Sequence, residues 1–325
     1  MEISFIPLDY NYFDYENKTW VKIIGRTFDK KRACIMDTCD VYFYAILKDN
    51  LNEKQISELI KKTEKISIKN DLRITKVLKA EFVKKNFLGK EVKALKISIS
   101  NHKDVQKITD KLDHSKIEHI REHDISFITR YILEKNLKPL TWNKVKGELL
   151  NNSEEFLGID SNLDVDFVIK VSEIKEQEDQ KDFSPKILAF DIETSAFEIG
   201  RGEITMIAIV SDKEKIVLTH KKIPNSQNFV KYYNDEADMI EAFAKKVKSL
   251  DPDIITGYFS DGFDLPYLKA RAQKHKVKLS LGLDDSQVKF TGGNSPRGKI
   301  FGIVHIDILE FIQTAYSQYL QSETL

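Results

Sequence analysis

In the first 150 residues apolar positions come in short runs of mixed period. Residues 41–47, Val-Tyr-Phe-Tyr-Ala-Ile-Leu, are all strand formers or apolar, and residues 93–100 alternate, so both read as strands. Residues 51–65 and 103–112 read as surface helices. Residues 125–137 carry apolar positions at helical spacing and stop ahead of Pro139. Residues 171–185 are charged, poor in apolar side chains and end in proline, the pattern of a linker. Beyond them the pattern changes. Residues 186–191, 203–210 and 215–219 are short apolar runs suited to strands, the first to a buried one. Asn234-Asp235 caps a helix reaching about residue 250, with Met239, Ile240, Phe243, Ala244 and Val247 on one face. Asp251-Pro252 breaks it, residues 254–258 form another strand, Asp264-Leu265-Pro266 opens a helix with Asp264 as N-cap, and residues 302–309 give a last strand. The fold class expected is α+β followed by α/β with a mixed central sheet. The domains expected are residues 1–147, a charged linker or insertion over 148–185, and a second domain over 186–325.

The 325 residues are 41% hydrophobic and 31% charged, enough to bury two cores and unlike a disordered chain. Two cysteines, Cys34 and Cys39, cannot fill a tetrahedral zinc site and are too few for a secreted disulfide framework, which points to reduced thiols in the cytoplasm. No basic-then-apolar leader opens the chain, and no stretch approaches the roughly 20 apolar residues that span a bilayer, so no membrane partner is expected. Net charge is zero, yet residues 1–150 hold 30 Lys and Arg against 22 Asp and Glu, and residues 51–100 hold 13 against 6. A basic face of this kind can contact phosphates, although a solvated lysine-rich surface looks the same in sequence.

Asp191 and Glu193 stand two apart at the end of an apolar run. On a strand they point to one face. Two such carboxylates repel unless cations lie between them, and hard oxygen ligands suit Mg²⁺ or Mn²⁺. Two such ions can drive in-line hydrolysis of a phosphodiester. Asp264 follows a strand at a helix start, where an ionised carboxylate is favoured; the same position is an ordinary cap. Residues 293–299 match the first seven positions of a phosphate-binding loop, but Ile300 replaces its hydroxyl residue and a strand follows, so a hairpin loop fits better.

Four ordered pieces resemble the exonuclease domain of archaeal-type family B DNA polymerases: Phe190-Asp191-Ile192-Glu193-Thr194, residues 251–258, residues 263–272 and residues 305–309. The likeness extends to residues 42–47, 86–90 and 124–131 of the first domain. It covers nearly the whole chain apart from the charged insertion around 148–182. The resemblance implies a ribonuclease-H-like exonuclease domain that removes the 3′ end of single-stranded DNA with two Mg²⁺ or Mn²⁺ ions. It implies Asp191, Glu193 and Asp264 as catalytic metal ligands, and Thr194 and Phe263 beside the primer 3′ end; Tyr258 and Phe259 are candidates to stack on bases. For the first domain it implies a template-binding module, with Tyr10, Val41 and Ala94 at or near a uracil pocket. It further implies DNA and a sliding clamp as partners of the longer polymerase.

The chain departs from the family in two places. Phe259 stands where the family carries asparagine. The third exonuclease motif, Tyr-x-x-x-Asp, and the polymerase motifs are expected beyond Leu325, so the chain is expected to be a truncation with little exonuclease activity of its own. Two other readings are an inactivated paralogue that only binds DNA, and a free-standing exonuclease with Asp307 as third acid.

Overall fold

Two long strands, β1 (Glu2–Tyr15) and β2 (Lys18–Thr27), open the chain. They are joined by Glu16 and Asn17, both at positive φ (50° and 61°), a two-residue turn whose twist matches that of the strands. The computed structural model describes residues 1–70, 73–150, 154–224, 227–292 and 296–316. It divides into two units, Met1–Gly158 with Phe167–Gln180, and Ile159–Asp166 with Lys181–Leu325.

In the first unit β3 (Arg32–Asp37) follows β2, and β4 (Val41–Leu47) begins a second sheet. Next come α1 (Glu53–Thr63), β5 (Ser67–Lys69), β6 (Ile74–Phe87), β7 (Lys90–Ile99), α2 (Val105–Asp110), β8 (Ile117–Arg121) and α3 (Phe127–Glu134). The order β5-β6-β7-β4-β8 makes this a five-stranded sheet, and β4-α1-β6-β7-α2-β8 is a β-α-β-β-α-β unit. Asn52 starts α1 with a reciprocal capping box to Gln55. The helices lie on one face: Ile56, Leu59, Val105 and Ile108 share a buried cluster with Phe43, Ala45, Leu95 and Ile97. By alternation Tyr42, Tyr44 and Ile46 turn to the other face.

β9 (Asn143–Leu150) and β10 (Phe167–Glu176) return to the first strands and close a barrel in the order β1-β2-β3-β10-β9. Residues 148–150 and 167–176, expected as linker or insertion, are thus barrel staves. Their charge belongs to the outward positions of half-buried strands, while Val168, Ile169 and Ile174 are buried. At Gly147 a Cβ would lie 2.2 Å from the Lys170 carbonyl oxygen, so only glycine lets β9 and β10 approach there.

The second unit is a six-stranded mixed sheet in the order β14-β13-β12-β11-β15-β18. Its elements are β11 (Ile187–Thr194), β12 (Ile204–Ser211), β13 (Lys215–Thr219), β14 (Val230–Tyr232), α4 (Glu236–Leu250), β15 (Ile254–Gly257) and α5 (Asp264–Lys274). A small pair, β16 (Lys289–Phe290) with β17 (Gly298–Lys299), precedes β18 (Val304–Asp307) and α6 (Ile308–Ala315). β12 runs antiparallel to both of its neighbours, β11 and β13, while β15 and β18 run parallel to β11. This is the ribonuclease-H-like arrangement expected. Asp235 caps α4 through the Asp238 amide. Phe243 of α4 meets Phe190 of β11 with ring centroids 5.6 Å apart, which fixes the covered face of the central strand. The last strand ends at Asp307 and not at residue 309, because Asp307 caps α6. Residues 293–295 of the loop-like heptad lie outside the described residues; Phe290 ahead of it and Gly298 within it pair antiparallel. Among the described residues no helix is long and apolar enough to cross a membrane.

Candidate active site

β11 lies at the middle of its sheet, but only one of its faces is covered. Leu188, Phe190 and Ile192 are buried, whereas Asp191 and Glu193 are exposed. The two carboxylates therefore do share a face, and that face is open to water. Reading the strand as wholly buried overstates the cost of these acids: alternation lets an apolar run feed one face while the other carries charge. Among the described residues neither Asp191 nor Glu193 has an ion-pair partner.

β15 accompanies β11 only as far as Ala189, paired with Thr256. Beyond that point the backbone of β11 lacks a strand on this side, and Asp264 fills the gap. Its Oδ1 accepts the Ile192 N–H at 3.1 Å. This corrects the expected cap: Phe263 holds the N-cap position, without a side-chain cap bond, and Asp264 is the first residue of α5. The carboxyl is 3% exposed. Burial first, and then the charge of Asp191, push its pKa up to about 7, against the opposing pull of the Ile192 amide. Asp191 and Asp264 thus feel one another as like charges across the amide of Ile192. Among the described residues no set of three or more His, Cys, Asp or Glu side chains is gathered to hold an ion.

The loop from β15 to α5 is built around Phe259. Its φ is 57°, in the left-handed region that asparagine and glycine enter more readily than phenylalanine. Its N–H donates to Asp307 Oδ1 at 3.0 Å, and its carbonyl accepts from Gly262 and Phe263. A Cβ on Gly262 would meet the Phe259 ring at 2.3 Å. Asp307, weighed as a third acid, is committed elsewhere: its oxygens also accept the Asp261 amide at 2.8 Å and the Leu309 amide at 2.9 Å.

Tyr258 and Phe259 are 44% and 48% exposed, as a base-stacking role requires. Phe263 is half-buried and packs on Tyr267, with ring centroids 5.3 Å apart. The Thr194 hydroxyl donates to the Ala196 carbonyl at 3.0 Å, so it shapes its own loop. Sequence reasoning passed over three residues here. Phe197, in the loop after β11, is 93% exposed. Tyr267 ties that loop down, donating to Ala196 O at 2.9 Å and accepting from Gly202 N at 3.1 Å. Arg271 donates to Gly200 O and to buried Glu236, which also accepts the Ile204 amide. The four-residue spacing of Phe263, Tyr267 and Arg271, one helical face, is the signal that could have found Tyr267 and Arg271; Phe197, in a loop, leaves no such periodic mark.

Of the proposed uracil-pocket residues, Ala94 stands apart from Val41. Val41 pairs with Ile99 and Ala94 with Ile46, so the two lie five positions apart along the sheet and on opposite faces. Val41 belongs to the buried cluster between sheet and barrel, with half-buried Tyr10 packed against it.

A mixed sheet of this order with two acids on the open face of its central strand defines a ribonuclease-H-like nuclease fold. Residues 118–325 match the model of the DNA polymerase family B exonuclease domain, and the chain belongs to that family. It is 30% identical over 311 residues to a DNA polymerase of Pyrococcus glycovorans, covering 94% of this chain and 34% of that one. It is 29% identical to DNA polymerase 1 of Pyrococcus abyssi over the same shares. The solved family B DNA polymerase of Pyrobaculum calidifontis superposes with a TM-score of 0.74 at 22% identity, over 96% of this chain and 37% of that one. The chain thus spans about a third of the length of these relatives.

Proposed function

We propose that this chain is the N-terminal part of a DNA-directed DNA polymerase and carries most of a 3′→5′ exonuclease site for single-stranded DNA ends. The observation that carries this reading is the pairing of Asp191 and Glu193 on the open face of β11 with Asp264, bonded to the same strand at Ile192. Asp191, Glu193 and Asp264 are not drawn into a ready cluster, yet each is a hard-oxygen donor of the kind that Mg²⁺ or Mn²⁺ takes, and burial first and then Asp191 push the Asp264 carboxyl up to about 7. Such ions, when bound, would activate water and stabilise the leaving oxygen of the phosphodiester. Asp191 and Glu193 offer their oxygens from a rigid strand. Asp264 would hold such an ion through its ionised carboxylate, braced by the Ile192 amide. Tyr258, Phe259 and Phe197 offer ring faces to the terminal bases, Phe263 supports the loop behind them, and Thr194 holds the turn toward the 3′ end. In this reading residues 1–147 form the template-binding domain, 186–325 the exonuclease domain, and a sliding clamp serves the longer protein in the cytoplasm.

A second reading, an inactivated paralogue that binds DNA without cutting it, draws on Phe259 in the place of asparagine. Titration with Mn²⁺ separates the two. The exonuclease reading expects saturable binding that raises the unfolding temperature and disappears in Asp191→Asn and in Asp264→Asn. A parent chain with no such binding would leave only the paralogue reading.

A further inference from the structure

Ser260, His305 and Asp261 form a buried polar chain beneath the loop that joins β15 to α5. His305 of β18 pairs with Ile255 of β15. Ile255 is fully buried, so by parity His305 also points to the covered face of the sheet, and its side chain is 3% exposed. His305 Nε2 lies 2.9 Å from Ser260 Oγ, and Nδ1 lies 3.3 Å from Asp261 Oδ1. One tautomer serves both neighbours: Nδ1–H faces the carboxylate, and Nε2 accepts the Ser260 hydroxyl. Burial pushes the Asp261 carboxyl up, but the His305 imidazole and the Gly298 amide, which donates at 2.6 Å, outweigh it and hold Asp261 below the usual carboxylate range. The contacts are those of a serine–histidine–aspartate triad. Ser260 is fully buried, however, so no substrate reaches its Oγ. These groups act on the fold and not on a bond.

We infer that His305 is a positioning residue for Asp264, acting through Ser260. Asp264 is the first residue of α5, and the place where α5 starts decides whether its carboxyl reaches the Ile192 amide. Phe263 gives α5 no side-chain cap bond. The Ser260 carbonyl stands in, accepting the Leu265 amide at 3.0 Å, one of the donors that the first turn of a helix leaves without an intrahelical partner. Asp307 braces the loop on either side of this residue, through the amides of Phe259 and Asp261. The Ser260 hydroxyl between them is held by His305, and Asp261 steadies the imidazole from its other edge. A ligand that must stand in one place is commonly oriented by such a partner behind it. That Asp264 holds an ion rests on the exonuclease reading proposed above; that His305 sets its position rests on these contacts.

Two substitutions split the imidazole. In His305→Gln the side-chain amide stands where Nε2 was and keeps Ser260; in His305→Asn it stands where Nδ1 was and keeps Asp261 alone. The first measurement is amide hydrogen exchange of the full chain, read residue by residue by NMR without metal. His305→Asn is expected to speed exchange at Ile192 and Leu265 about tenfold, the worth of one lost hydrogen bond, while amides of β12 and β13 keep parent rates. Ser260→Ala is expected to match it, and His305→Gln to restore parent rates. The second measurement is Mn²⁺ titration, where His305→Asn is expected to weaken affinity about tenfold and His305→Gln to restore it. Parent-like exchange at Ile192 in His305→Asn overturns the inference. Faster exchange spread evenly over β12 and β13 overturns it too, since that marks plain loss of packing, and so does a Gln variant as fast as the Asn one. Local change in exchange with parent-like Mn²⁺ affinity overturns the step from Asp264 to the ion. A parent chain that binds no Mn²⁺ overturns the exonuclease reading, while the exchange rates still decide whether His305 positions Asp264.

Discussion

Two neighbouring parallel strands, β15 and β18, each run into a helix, and each junction has an aspartate. At the β18 junction Asp307 stands at the N-cap of α6 and receives three backbone amides, from Phe259, Asp261 and Leu309. At the β15 junction Asp264 sits one position inside α5 and receives the Ile192 amide from another strand. Both are buried, at 6% and 3% exposure; burial first and then the charge of Asp191 push Asp264 up to about 7. The difference teaches how to tell a structural acid from a candidate reactive one. An acid saturated by amides is a brace. An acid buried beside another carboxylate is held in tension that a cation would relieve.

Asp307→Ala is the most severe break. It orphans three amides at once, two in the loop that carries Phe259, and is expected to cost about 3 kcal/mol in urea denaturation. A loss near the value for a simple exposed cap, about 1 kcal/mol, would mean that the loop finds other partners. Asp264→Asn is expected to act in the opposite sense. The folded pKa of about 7 lies above the ordinary 3.8, so the carboxyl costs stability as pH rises through that window and costs most above 7. Asparagine keeps an acceptor for Ile192. The variant should gain about 2 kcal/mol at pH 8 without divalent ions, with the gain shrinking as pH falls toward 4. Equal stability of parent and variant across that range would remove the tension from the account. Phe259→Asn is expected to be the smallest change. Relief of the left-handed backbone at 57° should add about 1 kcal/mol, read as a higher midpoint with unchanged slope.

The central strand shows how far sequence reached. Alternation alone set Asp191 and Glu193 on one face, and the cap at Asp235 with its apolar stripe set α4; both needed only local rules. The barrel was not legible. Residues 2–15 form one long strand whose burial does not alternate cleanly, and its partners come from residues 18–27 and 143–146. Closing a barrel through staves far apart in sequence leaves no periodic mark on any one of them. For the same reason a charged stretch, residues 167–176, reads as linker although it is a stave. The separation of Ala94 from Val41 was available from parity along a strand, once the strand and its register were known.

The sequence by itself determined the family and the order of its chemical groups, because motif spacing and strand alternation are properties of neighbouring residues. It also marked Phe259 as a departure. Only the tertiary structure decided what each acid does. Whether a carboxylate is a brace or a strained partner depends on which amides and charges reach it from other strands: Ile192 and Asp191 for Asp264, Phe259 and Asp261 for Asp307. Those partners lie up to 73 residues away in the chain, the separation of Asp264 from Asp191, and their effect falls off over ångströms in space.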